Sequence, residues 1–379
     1  MMFKGLAYYI LMGSFCFFSN VILSQDQRIA DRLAVIYKAD TLIGLQKLKL
    51  LDDLSFNEVN DYGKKLEYSE ELISLAKEHK NNNYLYYGFF RKGDAKQFVG
   101  DLEEAITAYF KAAEIAKKEK FISREAGAYG AIADIYSISD NHKNAMLYYG
   151  KAITALRKTE DTIALASVIL NAGDALLRNK EYDSALIYFN ESGALFEKSN
   201  YVLGTAYNLG NIGMVYANLG KNDLAEQNIN QAILILEKSG NYDPISVYLI
   251  SMSDIYLEKE QHQSAIDYAQ KSLSLAEQYG LKEQIKNANL KLSQLYEIIG
   301  NLVVSYKYYK DHITYRDSLI NLEKVQELAN QRTNFEVSQK QVEVELLGAK
   351  NDLLETQKRN QLIVLGFIGL LLLTSLWFY

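Results

Sequence analysis

The chain has almost no proline: Pro244 is the only one in 379 residues. Proline breaks helix interiors and punctuates most strands and loops, so its scarcity points to helix almost throughout. Cysteine is as rare. Cys16 lies in an apolar run near the N-terminus and leaves the rest of the chain without a thiol, which excludes an internal disulfide and a thiolate metal site. His79, His142 and His262 share no ligand spacing with one another or with carboxylates, so no metal is expected. The formal net charge is a mild -6 and no basic block stands out. Phosphate binding needs clustered Lys and Arg, so nucleic acid is disfavoured as a partner. A phosphate-cradling Gly-rich loop, a nucleophile elbow and paired catalytic acids are missing too. The expectation is a non-enzymatic chain without a cofactor.

Long hydrophobic runs occur only at the two ends. The first has Lys4, an apolar stretch from about Leu6 to Phe18 and a small-residue exit near Ser24, the layout of a secretory signal over residues 1–24. An uncleaved signal anchor is the alternative, and either puts the residues that follow outside the cytoplasm. Phe15 before Cys16 fits poorly with a lipoprotein cleavage box. At the other end, Leu362 to Tyr379 is 18 residues without a charge, closing on aromatics of the kind found at a membrane interface, and reads as a transmembrane helix. Lys358 and Arg359 precede it and no basic stop follows. Either the orientation is weakly specified or the natural chain continues past Tyr379.

Between these ends the sequence repeats every 40 residues. Ala105, Ala145, Ala185, Ala225, Ala265 and then Ser305 are the anchors. Four residues on stand Tyr109, Tyr149, Phe189, Ile229, Ala269 and Tyr309, and seven on stand Ala112, Ala152, Ser192, Ala232, Ser272 and His312. Spacings of four and seven share one helical face. Twelve residues before each anchor is another small residue (Gly93, Ala133, Gly173, Gly213, Ser253, Ser293), followed three later by Lys96, Tyr136, Leu176, Tyr216, Tyr256 and Tyr296. Each unit therefore reads as two antiparallel helices that approach closely where side chains are small, with a large ring filling the space beside them. One pair cannot bury both faces, whereas stacked pairs can.

These columns resemble the tetratricopeptide repeat in a long, 40-residue form, over about Tyr86 to His312. HEAT, armadillo and propeller repeats share this period, but the small-residue columns fit them less well. The resemblance implies an all-α superhelical solenoid: residues 25–85 form an N-terminal helical cap with a degenerate repeat whose anchor is Lys65, and residues 86–316 form six repeats. Lys96, Leu176, Ala269 and His312 depart from the pattern, and the imidazole of His312 suggests that the stack ends there.

In such folds the first helix of each pair lines a groove. The resemblance places in it the residues just after the first small column (Asp94, Asp134, Asp174, Met214, Asp254, Gln294) and those two before it (Arg91, Ala131, Asn171, Asn211, Ser251, Lys291). The candidate peptide-binding residues are Arg91, Asp94, Asp134, Asn171, Asp174, Asn211 and Asp254. Asn side chains can pair with the backbone of an extended peptide, and the Asp ladder favours a cationic one. A structural reading stands beside this: each Asp bonds the adjacent helix or faces water.

From 317 to 361 the repeat lapses. Leu328, Phe335, Val342 and Ala349 fall seven apart, with Val325, Leu346 and Leu353 at the complementary heptad position and Arg332 and Gln339 interrupting it. One helix of this length would reach roughly 65 Å. It reads as a dimerising stalk or as a single amphipathic helix folded back on the repeats. The order of signal, repeats, stalk and span is similar to the sensor half of bacterial membrane receptors whose cytoplasmic part is a histidine kinase, a nucleotide cyclase or a helix-turn-helix regulator. The expected function is a membrane-anchored, extracytoplasmic (periplasmic) module that binds protein or peptide.

Overall fold

Along most of the chain a helix ends every 20 residues, and the backbone marks each end. Lys80, Gly100, Lys120, Asp140, Lys180, Asn200, Gly220, Gly240, Glu260, Gly280 and Gly300 all have φ between 51° and 80°, the left-handed turn that closes a helix C-terminus. The next residue opens a new helix, and at Asp101 and Asn141 its side chain accepts the third amide inward, from Glu104 N and from Asn144 N at 3.3 Å each. Two such 20-residue halves make the 40-residue period.

The computed structural model describes residues 27–59, 61–316, 353–354 and 356–359. Every regular element among the described residues is an α-helix. In order they are α1 Gln27–Lys38, α2 Gly44–Asn57, α3 Tyr62–Glu78, α4 Asn82–Phe98, α5 Leu102–Lys118, α6 Ile122–Ile138, α7 His142–Leu156, α8 Thr162–Arg178, α9 Tyr182–Lys198, α10 Val202–Asn218, α11 Asn222–Ser239, α12 Tyr242–Glu258, α13 His262–Tyr279 and α14 Lys282–Ile298. A further helix, α15, covers 302–316. The chain divides into two compact units between Ala95 and Lys96.

In the second unit the anchors Ala105, Ala145, Ala185, Ala225 and Ala265 are fully buried, as are Tyr109, Tyr149, Phe189, Ile229 and Ala269 four residues on. The reason is contact distance. A Cβ placed on Gly173 would sit 2.6 Å from the Phe189 ring, so the ring already fills the notch that the missing side chain leaves. Serine serves the same column by hiding its hydroxyl: Ser253 Oγ donates to the Ala265 carbonyl at 2.8 Å, and Ser293 and Ser305 pair through their Oγ atoms at 3.2 Å. Where the ring column shrinks to Ala269, the stacked pair Tyr256–Tyr268, centroids 5.1 Å apart, stands nearby. His312 is buried and meets the Lys286 carbonyl through Nδ1 at 3.0 Å. Beyond it α15 presents an apolar outer face. Tyr306 is 70% and Val303 82% exposed, whereas Ile266, one period before Tyr306, is 5% exposed.

The first unit has its own core of Leu48, Leu51, Leu54, Tyr68, Leu72 and Ala76. Its degenerate anchor, Lys65, is fully buried, and its ammonium donates to the carbonyls of Phe56 (3.3 Å) and Glu58 (3.2 Å). A lysine thus stands where the repeat wants alanine because it satisfies the C-terminal carbonyls of α2. Tyr37 seals the opposite side by donating to Glu71 at 2.6 Å, and this bond to a carboxylate raises its phenol to about 12.

Among the described residues no helix is long and apolar enough to cross a membrane. The expected signal (1–24), the span (362–379) and all of the expected stalk (317–361) except 353–354 and 356–359, which are helical, lie outside the described residues.

Candidate functional site

In the second unit the first helices of successive pairs touch one another: α6 meets α8, α8 meets α10, α10 meets α12 and α12 meets α14. They form a continuous face, and on it members of the two sequence columns meet. The structure adds a register that the columns did not reveal. Residues 37 apart meet across neighbouring first helices, so a residue two before one small column lies against the residue just after the preceding one. Asn171 Nδ2 donates to Asp134 Oδ1 at 3.2 Å, and Lys291 Nζ pairs with Asp254. Tyr248 reaches Asn211 Oδ1 at 3.3 Å over the same interval. A Cβ on Gly210 would collide with the Tyr248 ring, which is why this approach of α10 and α12 has glycine.

The acidic ladder is therefore largely answered from within. Asp134 accepts from Tyr149 Oη at 2.6 Å as well as from Asn171. Burial nevertheless pushes its carboxyl up, and those two bonds and the nearby Arg178 only partly oppose the shift. Burial and the Asp134 carboxylate likewise raise the Tyr149 phenol far beyond its ordinary value. Asp174 is bridged by Arg178 one turn along α8. Two of the three carboxylates, Asp174 and Asp254, are thus ion-paired and Asp134 is hydrogen-bonded by neutral groups, which leaves less uncompensated negative charge than the ladder suggests by count.

Arg91 and Asp94 belong to the first unit. There Arg91 Nη1 lies 3.4 Å from Asp94 Oδ2, and Arg91 Nε lies 3.6 Å from Asp52 Oδ1. The guanidinium sits 4.6 Å from the Phe56 ring centroid, with Tyr87 and Phe90 further out. That surrounding holds the side chain in place through charge and ring contacts.

Sequence reasoning missed a cavity of about 240 Å³ on the first-helix face of the second unit, lined by Met214, Ser246, Val247, Ile250, Ser251, Ser272, Gln284 and Asn287. It opens where the two columns bring together Met214 and Ser251, neither of them charged. Met214 was visible as the interruption of the Asp column, and that was the available signal. Ser251 also borders a second cavity of about 290 Å³ whose lining includes Asn218, Asp254 and Glu258. A wider cleft of about 680 Å³ lies between α6 and α7, lined among others by Ile122, Glu125, Tyr129, Leu147, Lys151 and Lys158. There Lys151 sits 4.3 Å from the Tyr148 ring, and burial followed by the charge of Lys117 lowers its pKa. Among the described residues no group of three or more His, Cys, Asp or Glu is placed to hold a metal ion.

Two family profiles described as tetratricopeptide repeat match the chain, one at residues 202–278 and the other at 86–119 and 126–155. A search of curated proteins finds no match. Among solved structures, the chain resembles a Rap protein complexed with Competence and Sporulation Factor, at 15% identity and a TM-score of 0.60, over 77% of this chain and 81% of the other. It also resembles aspartyl phosphate phosphatase F from Bacillus subtilis, at 16% identity and a TM-score of 0.51, over 79% of this chain and 96% of the other. A third likeness is to a signal transduction ATPase with numerous domains that has a tetratricopeptide repeat sensor, from Pyrococcus horikoshii. There the identity is 16% and the TM-score 0.54, over 80% of this chain and 49% of the other. At these identities the likeness is one of fold.

Proposed function

The chain is a helical protein built of tetratricopeptide repeats, and from that premise we propose that it binds protein or peptide on the first-helix face of its second unit. The observation that carries this reading is the cavity beneath Met214, Val247 and Ile250 on a face whose polar residues are already held in place. A preformed surface spends little ordering entropy on binding, and amides such as Asn171 can donate and accept toward a peptide backbone. Asp134, Asn171, Asp174, Asn211 and Asp254 are assigned to this surface, and Arg91 and Asp94 to a polar site of the first unit. The complex of a Rap protein of similar fold with Competence and Sporulation Factor supports a binding function for this architecture.

The same proposal has the chain membrane-anchored and extracytoplasmic, as the sensory or scaffold part of a signalling system. Its support is in the sequence: the signal layout of residues 1–24, the 18 uncharged residues from Leu362 to Tyr379, and the heptads of 317–361 as a dimerising stalk. A receptor continuing into a cytoplasmic kinase, cyclase or helix-turn-helix part fits the same order of segments. Affinity capture with residues 25–361 tests the binding function. Recovery of one short peptide supports a sensor, recovery of several large envelope proteins supports a scaffold, and no specific recovery defeats the reading. Protease protection of the full chain in sealed spheroplasts tests the anchoring, and cleavage of the repeats only after lysis of the inner membrane would refute it.

A further inference from the structure

The proposed binding face has one place where its charge pattern lapses, and the chemistry of that place bears on the ligand. Along the neighbouring first helices the 37-residue register pairs Asp134 with Asn171 and Asp254 with Lys291. Between α10 and α12 the corresponding residues are Met214 and Ser251, and there the face opens into the 240 Å³ cavity.

Its floor is chemically apolar even where its residues are not. Ser246 and Ser272 are fully buried and spend their hydroxyl protons on each other's backbone: Ser272 Oγ donates to the Ser246 carbonyl at 2.8 Å, and Ser246 Oγ donates to the Ser272 carbonyl at 3.4 Å. Neither hydroxyl has a proton left to donate, and neither residue is exposed to an incoming group. Met214, Val247 and Ile250 supply the walls, with Val247 37% exposed and the flexible thioether of Met214 able to adjust to what enters. Burying a charged side chain against such walls carries a desolvation penalty that nothing there offsets, whereas an aliphatic side chain gains by leaving water. The volume exceeds the ~150 Å³ known to admit a benzene-sized guest. At the mouth Gln284 and Asn287 present amides that can pair with peptide groups on either side of the inserted residue. Two of the cations near these mouth residues are paired, Lys286 with Glu283 at 2.7 Å and Lys291 with Asp254.

We propose that the ligand of this face is an extended peptide segment without net positive charge that inserts one aliphatic side chain between Met214, Val247 and Ile250. The proposal rests on the peptide-binding function above and replaces the cationic ligand that the Asp ladder implies when its members are counted as free charges.

The test uses the full-length chain in detergent, panned against a phage library displaying random heptapeptides. The expected winners hold Leu, Ile, Val or Met at one common position and are not enriched in Lys or Arg. A synthetic copy of the leading peptide should lose at least tenfold in affinity against Val247→Asp and against Met214→Glu, each checked by circular dichroism to be folded. Replacing its aliphatic residue with Lys should cost as much. Enrichment of Lys- and Arg-rich peptides that bind both variants undiminished would overturn this ligand class while leaving peptide binding intact. Failure of any peptide to enrich over an empty support would instead defeat the peptide-binding function itself.

Discussion

The hydroxyl of Tyr149 donates to Asp134 at 2.6 Å, linking the second helix of one repeat to its first, and the same carboxylate receives Asn171 from the next repeat. One side chain thus ties three helices. Because burial raises the Asp134 carboxyl in the folded protein, folding favours its protonated form. The sign follows: this contribution to stability is full below the unfolded carboxyl value and is lost as pH rises through the folded one. Asp134→Asn keeps an oxygen for Tyr149 and removes the charge. It should match or exceed the wild-type melting temperature at neutral pH, with the difference vanishing under acid conditions. A neutral-pH loss of more than about 1 kcal/mol, the worth of a typical hydrogen bond, would show that the charge itself is needed.

Gly173 tests the notch. Gly173→Ala drives a methyl into the Phe189 ring and should cost about 1–3 kcal/mol by overpacking. Combining it with Phe189→Leu should cost less than the sum of the two single changes, as denaturant titration would reveal.

Lys120 and Glu260 hold left-handed backbone at helix ends with φ of 59° each. Glycine has no Cβ to strain there, so Lys120→Gly and Glu260→Gly should each stabilise by up to about 1 kcal/mol, with the entropy of the unfolded chain opposing part of the gain. A fall in melting temperature would mean that these side chains make contacts worth more than the strain.

Lys65→Ala would remove the donor to the Phe56 and Glu58 carbonyls and leave a void in the first unit. The expected loss is about 2–4 kcal/mol, from cavity and unsatisfied carbonyls together. Faster amide exchange across α2 and α3 is the readout, and unchanged exchange there would contradict the capping role.

Much of this architecture is legible in the sequence. The columns at Ala105, Tyr109 and Gly173 repeat because close helix approach tolerates so few side chains that chemistry shows directly as spacing. That Asp134, Asn171, Asp174, Asn211 and Asp254 fall in two columns of the first helices was legible through the resemblance to the tetratricopeptide repeat. Their pairing was not. It depends on how far one first helix is offset along the next, and a 40-residue sequence period does not reveal that neighbours stand 37 apart. The cationic ligand inferred from the Asp column failed to allow for Arg178 and Lys291 as internal partners. Lys65 looked like decay of the repeat, because nothing local in sequence shows that the Phe56 and Glu58 carbonyls converge on it.

Hydrogen–deuterium exchange on residues 25–361, with and without the captured ligand, tests the binding surface most directly. Slower exchange is predicted in α10, α12 and α14, centred on Met214, Val247 and Gln284, with α11 and α13 little changed. Protection confined to α11 and α13, or to the cleft between Ile122 and Lys151, would contradict the assignment of the first-helix face.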